Sequence, residues 1–143
     1  MLPIRSFPPH PFLDRKPPRG VAPEPFRSAE QAWLWTMAAL IARHDGSSRP
    51  GTGIPRPCEP DDVILCLDAL YRRKRIVLEH ARVLRRWGER GMAPDARVAA
   101  ERIEARLWEE AMALLDWPLR VRGIVAEPHV SRKIIVDSRM VRR

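Results

Sequence analysis

Proline placement constrains this chain more than any other feature of its sequence. Twelve of the fifteen prolines lie within the first 60 of 143 residues, and only Pro94, Pro118 and Pro128 lie beyond. Each proline removes a backbone donor, fixes its own φ and biases its predecessor to extended geometry. Long helices are therefore excluded from residues 1–27 and permitted over most of the remaining chain. Residues 1–27 also have no apolar period of 2 or 3.6, so they read as a Pro-rich, mostly disordered arm. Within it, Lys16-Pro17-Pro18-Arg19 is a candidate docking motif whose default is a solvated tail. Six prolines and the lack of an apolar core in residues 1–20 argue against a secretory leader. The longest apolar stretch, 32–42, is eleven residues with Thr36 inside it, well short of the roughly 20 needed to cross a bilayer. Cys58 and Cys66 are the only cysteines and make no disulfide framework, so a reducing cytoplasm is expected.

Beyond the arm the apolar residues recur helically. Ser28 with Gln31 fits the capping-box spacing, and Ala29, Trp33, Leu34, Met37, Leu40 and Ile41 predict a helix over 29–43, ended by His44-Asp45-Gly46. Trp33 and Trp35 point in different directions, and an exposed one would be either a partner contact or a staple for the arm, with intramolecular packing favoured. Residues 45–59 read as a loop, and Gly51-Thr52-Gly53 in it lacks the flanking strand and Gly-Lys-Ser/Thr of a phosphate loop. Pro60-Asp61-Asp62 opens a second helix, with proline at its first position and two carboxylates facing the positive end of the dipole. Val63, Leu67, Leu70 and Tyr71 form its inward stripe, flanked by Ile64 and Cys66, and it ends near Arg72-Arg73-Lys74-Arg75. A third helix is predicted over 78–90, with Val77, Ala81, Val83, Leu84 and Trp87 inward and Gly91 as its cap. Pro94-Asp95 opens a fourth, over 94–116, on the stripe Ala96, Ala100, Ile103, Leu107, Ala111 and Leu114, joined by Trp108 and Leu115. Arg97–Glu101 and Arg106–Glu110 are spaced as i,i+4 pairs on its outer face. Trp117-Pro118 is expected to stop this helix, and the alternation over 119–125 reads as a short strand. Leu67, Leu84, Trp87, Ile103, Leu107 and Trp108 are expected to be among the most buried side chains.

The predicted fold is all-α. A small four-helix bundle containing a helix-turn-helix-like pair occupies a domain of 28–125, with a short β element near its C-terminal end. A basic tail completes the chain over 126–143, in which Lys133-Ile-Ile-Val136 is a candidate partner strand or docking peptide.

Charge points to a partner. The net charge is +8, and 23 of the 26 cations are arginine. A high-GC codon bias produces that ratio without any function, yet arginine supplies a planar fork suited to phosphates and guanine edges whatever its origin. By segment the net charge is +3 over 1–27, 0 over 28–60, +3 over 61–93, −3 over 94–119 and +5 over 120–143. Arg82, Arg86 and Arg90 fall at i, i+4 and i+8 on the outer face of the third helix, with Arg85 beside them. In a helix-turn-helix unit these four would face the major groove, while Arg72, Arg73, Lys74 and Arg75 would hold the backbone. No glycine occupies the tight turn, and Glu79 and Glu89 would mute the field. The favoured function is non-catalytic nucleic-acid binding, DNA before RNA, of a kind suited to regulation. The rival is a small adaptor or assembly subunit that binds a protein through helix faces and tails, with one of the five tryptophans as anchor. Oligomeric state is left open.

No catalytic constellation argues for an enzyme, and no glycine-flanked serine nucleophile is present. Cys58 and Cys66 are poorly spaced for zinc, His44 and His80 could join them only by tertiary coincidence, and Asp61 and Asp62 are explained as helix-start carboxylates. No metal and no cofactor are expected.

The stretch from Arg56 to Val125, carrying RPCEPDDV, LYRRKRI, HARVLRRWGERGMAPD and LDWPLRVRGIV, resembles a family of small uncharacterised proteins of high-GC bacteria. The resemblance implies a bacterial origin and no particular activity.

Overall fold

A computed structural model describes residues 22–46 and 53–127. The Lys16-Pro17-Pro18-Arg19 motif, Gly51-Thr52 and the 133–136 segment lie outside the described residues. Four α-helices are present among them: α1 (Ala29–His44), α2 (Pro60–Arg72), α3 (Leu78–Arg90) and α4 (Arg102–Val121), the last entered through a 3₁₀ turn at Ala99–Glu101. No strand occurs among the described residues, and no helix among them is long and apolar enough to cross a membrane.

Local signals place α1 and α3 where the sequence predicts them. The Ser28 hydroxyl accepts the Gln31 N–H at 3.1 Å, and the Gln31 side chain returns to the Arg27 N–H at 2.7 Å. Gly91 ends α3 in the left-handed region at φ 78°. Between these helices the backbones come close. A Cβ on Gly88 would lie 2.5 Å from Met37 Cγ and 3.0 Å from Trp33 Nε1, so this position in α3 has room only for hydrogen. The Trp33 indole N–H donates to the Leu84 carbonyl at 3.0 Å across the same contact.

Helix order in space corrects the expected helix-turn-helix pair. α1 packs on α2, α3 and α4, and α4 packs on α2 and α3 as well, whereas α2 and α3 make at most marginal contact. A helix-turn-helix unit needs its two helices against each other. Here residues 73–77 connect them, with Lys74 in a left-handed conformation (φ 62°) and Ile76 turned into the core at 1% exposure.

Helix faces differ in detail. On α2 the buried residues are Pro60, Val63, Cys66 and Leu70, while Leu67 is half-buried and Tyr71 is exposed. Val77 is also exposed, whereas His80 is buried. The His80 ring accepts the Val77 N–H through Nδ1 (3.2 Å) and meets Glu110 Oε1 through Nε2 (3.0 Å), pinning the start of α3 to α4.

α4 is the largest correction. It begins at Arg102 rather than Pro94, because the Asp95 carboxylate folds back onto the Arg97 N–H and guanidinium (2.9–3.1 Å) while the Asp95 N–H donates to Glu101 at 2.7 Å. The expected pairs Arg97–Glu101 and Arg106–Glu110 are replaced by these contacts and by Glu110–His80. Its buried face is Ala105, Trp108, Ala111, Leu115 and Leu119, so Ile103 is 75% exposed and Leu107 only half-buried. Nor does Pro118 stop the helix. An interior proline costs about 3 kcal/mol or more. Continuing the turn buries Leu119 and leads directly to buried Ile124 and Val125, each contributing roughly 1.5–3 kcal/mol, and burial wins.

In place of the strand over 119–125 there is a single parallel bridge, Phe26 with Val125. The Phe26 N–H donates to Ile124 at 2.8 Å and the Ala126 N–H to Phe26 at 2.9 Å. Phe26, placed in the arm by its sequence context, is fully buried. Its ring leans on Trp35 with centroids 5.1 Å apart, and the Arg56 guanidinium sits 4.3 Å from its centre.

Candidate nucleic-acid interface

The eight cations singled out by sequence divide by what surrounds them. All are exposed. On α3, Arg85 pairs with Glu89 at 3.2 Å, Arg86 with Glu104 of α4, and the Arg90 guanidinium stacks 4.5 Å from the Trp87 ring centre. Neither Arg82 nor Arg90 on that stripe has a carboxylate within ion-pair distance among the described residues, and Arg90 is engaged by the Trp87 ring instead. The Glu104 carboxyl also accepts the Trp87 indole N–H at 2.6 Å. That hydrogen bond, with Arg86 beside it, holds Glu104 below the usual carboxylate range against the opposing pull of burial. Three of the four α3 arginines are thus engaged, Arg85 and Arg90 within α3 itself and Arg86 in fastening α3 to α4.

At the end of α2 the arrangement is different. Arg72 pairs with Asp68 one turn back at 2.9 Å. Arg73, Lys74 and Arg75 come next, with no carboxylate within ion-pair distance among the described residues. Their backbone is fixed by a Schellman-type cap: the Lys74 N–H bonds to the Tyr71 carbonyl at 3.0 Å and the Arg75 N–H to Leu70 at 2.9 Å. The residue that such a cap wants left-handed is usually glycine, and here it is Lys74. Three cations are therefore presented on a rigid turn.

Arg73 and Arg75 border a cleft that the sequence did not announce. It holds about 220 Å³ between the last turn of α2 and the last turns of α4. Arg73 and Arg75 stand on one side, and Leu114, Trp117, Pro118 and Arg122 on the other. Cys66 and Leu70, both buried, complete the lining. Three arginines and no carboxylate line it. Trp117 is 69% exposed, far more than Trp33, Trp87 or Trp108. Arg122 lies close enough to Cys66 to pull its thiol pKa down against the larger upward push of burial.

Trp117 and Arg122 were missed because Pro118 reads as a helix stop. With the helix continued, residues 114, 117, 118, 121 and 122 share one face at spacings of three and four, the one signal that could have found them.

Burial, with Asp62 and Glu59 nearby, pushes the Cys58 thiol up to about 12, so neither it nor Cys66 is an activated thiolate at neutral pH. No group of three or more His, Cys, Asp or Glu suited to a metal ion occurs among the described residues. Comparison with protein-family models, with curated proteins and with solved structures finds no match for this chain.

Proposed function

We propose that this protein binds nucleic acid without catalysis, holding phosphates on the cationic end of the molecule formed by Arg72, Arg73, Lys74, Arg75 and Arg122. The carrying observation is that Arg73, Lys74 and Arg75 sit exposed on an ordered turn with no carboxylate partner among the described residues, while most of the α3 arginines are engaged. Unpaired cations on a preformed turn displace the counterions condensed on nucleic-acid phosphates, at little conformational cost. On this reading α3 braces the bundle and is not a recognition helix.

The test is salt-dependent binding of DNA and RNA by the full chain. A triple variant, Arg73→Gln with Lys74→Gln and Arg75→Gln, is compared with Arg82→Gln, Arg85→Gln and Arg86→Gln. The first is expected to weaken binding and flatten the log–log salt slope by about 0.9 per lost phosphate contact on duplex. The second is expected to change the slope less. A larger loss from the second triple returns α3 to the role of recognition helix, and no binding by the parent at low salt removes the proposal.

An adaptor role is the second reading, and a specific feature favours it. Met92, Val98 and Ile103, between the end of α3 and the first turn of α4, expose apolar surface that nothing among the described residues covers. Such anchors suit a protein partner. Ile103→Ser that abolishes a pull-down while leaving nucleic-acid affinity intact would show that the two surfaces are separate.

A further inference from the structure

We infer that the cleft between α2 and α4 takes one unpaired nucleotide, its base stacked on Trp117 and its phosphates held by Arg73, Arg75 and Arg122. The protein then prefers single-stranded to duplex nucleic acid. This inference rests on the nucleic-acid reading above.

The cleft sets two unlike surfaces side by side. Apolar ring and aliphatic groups meet three guanidinium groups, with no carboxylate to repel an anion. Trp117 is left 69% exposed beside three arginines, so a flat apolar face and three positive charges are open to one ligand. An inorganic anion would satisfy the arginines and leave the indole bare. An apolar peptide would cover the indole and leave the guanidinium groups without partners. A nucleotide does both, since every base has a π-face and every linkage a charge, and this pairing of stacking platform with positive groove is how single strands are held.

Size and shape exclude the duplex from the same mode. Some 220 Å³ is below the 300–1,000 Å³ of pockets that enclose a drug-sized ligand, and it leaves room for one ring system. Bases within a duplex are stacked on one another and cannot reach Trp117 unless flipped out, which costs a few kcal/mol. Duplex can use the cations of the turn, but only a single strand can also use the indole.

The experiment measures fluorescence anisotropy of a dye-labelled oligothymidine and of a blunt duplex with the same number of phosphates, both titrated with the full chain at low salt. The parent is expected to bind the single strand more tightly. Trp117→Ala is expected to lose roughly 5- to 150-fold on the single strand, the equivalent of about 1–3 kcal/mol for one stacked base, and to leave duplex binding unchanged. Trp117→Phe, which keeps a stacking face, is expected to recover most of the loss. Because Trp117 is exposed, unchanged helical circular dichroism and melting temperature exclude misfolding as the cause. If the parent binds both forms alike and Trp117→Ala alters neither, the cleft assignment fails while nucleic-acid binding stands. If Trp117→Ala weakens both forms equally, base stacking also fails. If the parent binds neither form, both proposals fall together.

Discussion

Along α3, Arg85, Arg86 and Arg90 each meet a carboxylate or an aromatic face, whereas Arg73, Lys74 and Arg75 at the end of α2 have no such partner among the described residues. By sequence the α3 stripe is the more persuasive of the two, because its spacing lines three arginines along one helix face. The difference teaches that periodic charge reports where side chains point and not what they are free to do. Glu104, eighteen positions beyond Arg86 and on another helix, engages Arg86, while Glu89 and Trp87 of α3 itself engage Arg85 and Arg90. Surface charge becomes binding capacity only where no neighbouring carboxylate has already claimed it.

The largest test of this contrast pits the tryptophan beneath the α3 arginines against the one beside the turn. Trp87→Ala is expected to cost about 3–5 kcal/mol in chemical denaturation, because it empties a core site and strips Arg90 and Glu104 of a shared partner. Trp117→Ala is expected to stay within about 0.5 kcal/mol. Equal costs would mean that the two ends are not divided between bracing and binding.

Next in size is Glu104→Ala, which leaves the Trp87 N–H and Arg86 without their acceptor and is expected to cost about 1–3 kcal/mol. The effect has a pH signature. Glu104 titrates lower in the folded state than its unfolded value of about 4.3, so its contribution is full above that pH and is lost as pH falls through the lower folded value. The stability gap between parent and variant should therefore close in acid. A gap that persists unchanged at the lowest accessible pH would show that the carboxylate charge is not what holds α3 to α4.

Lys74→Gly sharpens the other half of the comparison. Removing a side chain from a left-handed position relieves strain, partly offset by a more flexible unfolded chain, for a net gain of roughly 0.5–1 kcal/mol. The same change removes an unpaired cation, so the melting temperature should rise while nucleic-acid affinity falls. The smallest effect is expected from Glu89→Gln, within about 0.5 kcal/mol of the parent because both partners are exposed. It frees Arg85, and a gain in duplex affinity would show that pairing alone had silenced the stripe.

Much of the fold was legible where the signal is local. Ser28, Gly91 and the bounds of α3 are set by caps and period, and the general all-α character by the placement of prolines. What failed turned on contacts that compete with the local signal. Asp95 looks like a helix start and instead folds onto Arg97, and α4 begins only at Arg102 with Ile103 outside its buried face. Pro118 looks like a stop and is overridden by the burial of Leu119 and the residues after it. The cleft went unseen because its two halves come from helix ends far apart in sequence. The loop cations were legible as residues, but their freedom was not, because it is a property of what fails to come near them.

The bridge between Phe26 and Val125 has a kinetic consequence. Much of the remaining packing joins helices closer in sequence, and such contacts form quickly, whereas this pair closes nearly the whole described chain into a loop. It is expected to form after the helices have docked and to open before they separate. Hydrogen exchange should then show the Phe26 and Ala126 amides losing protection through a smaller opening than the amides of α1 and α4. Both ends of the packed body would come loose together, with the bundle still assembled, each time that one latch lifts.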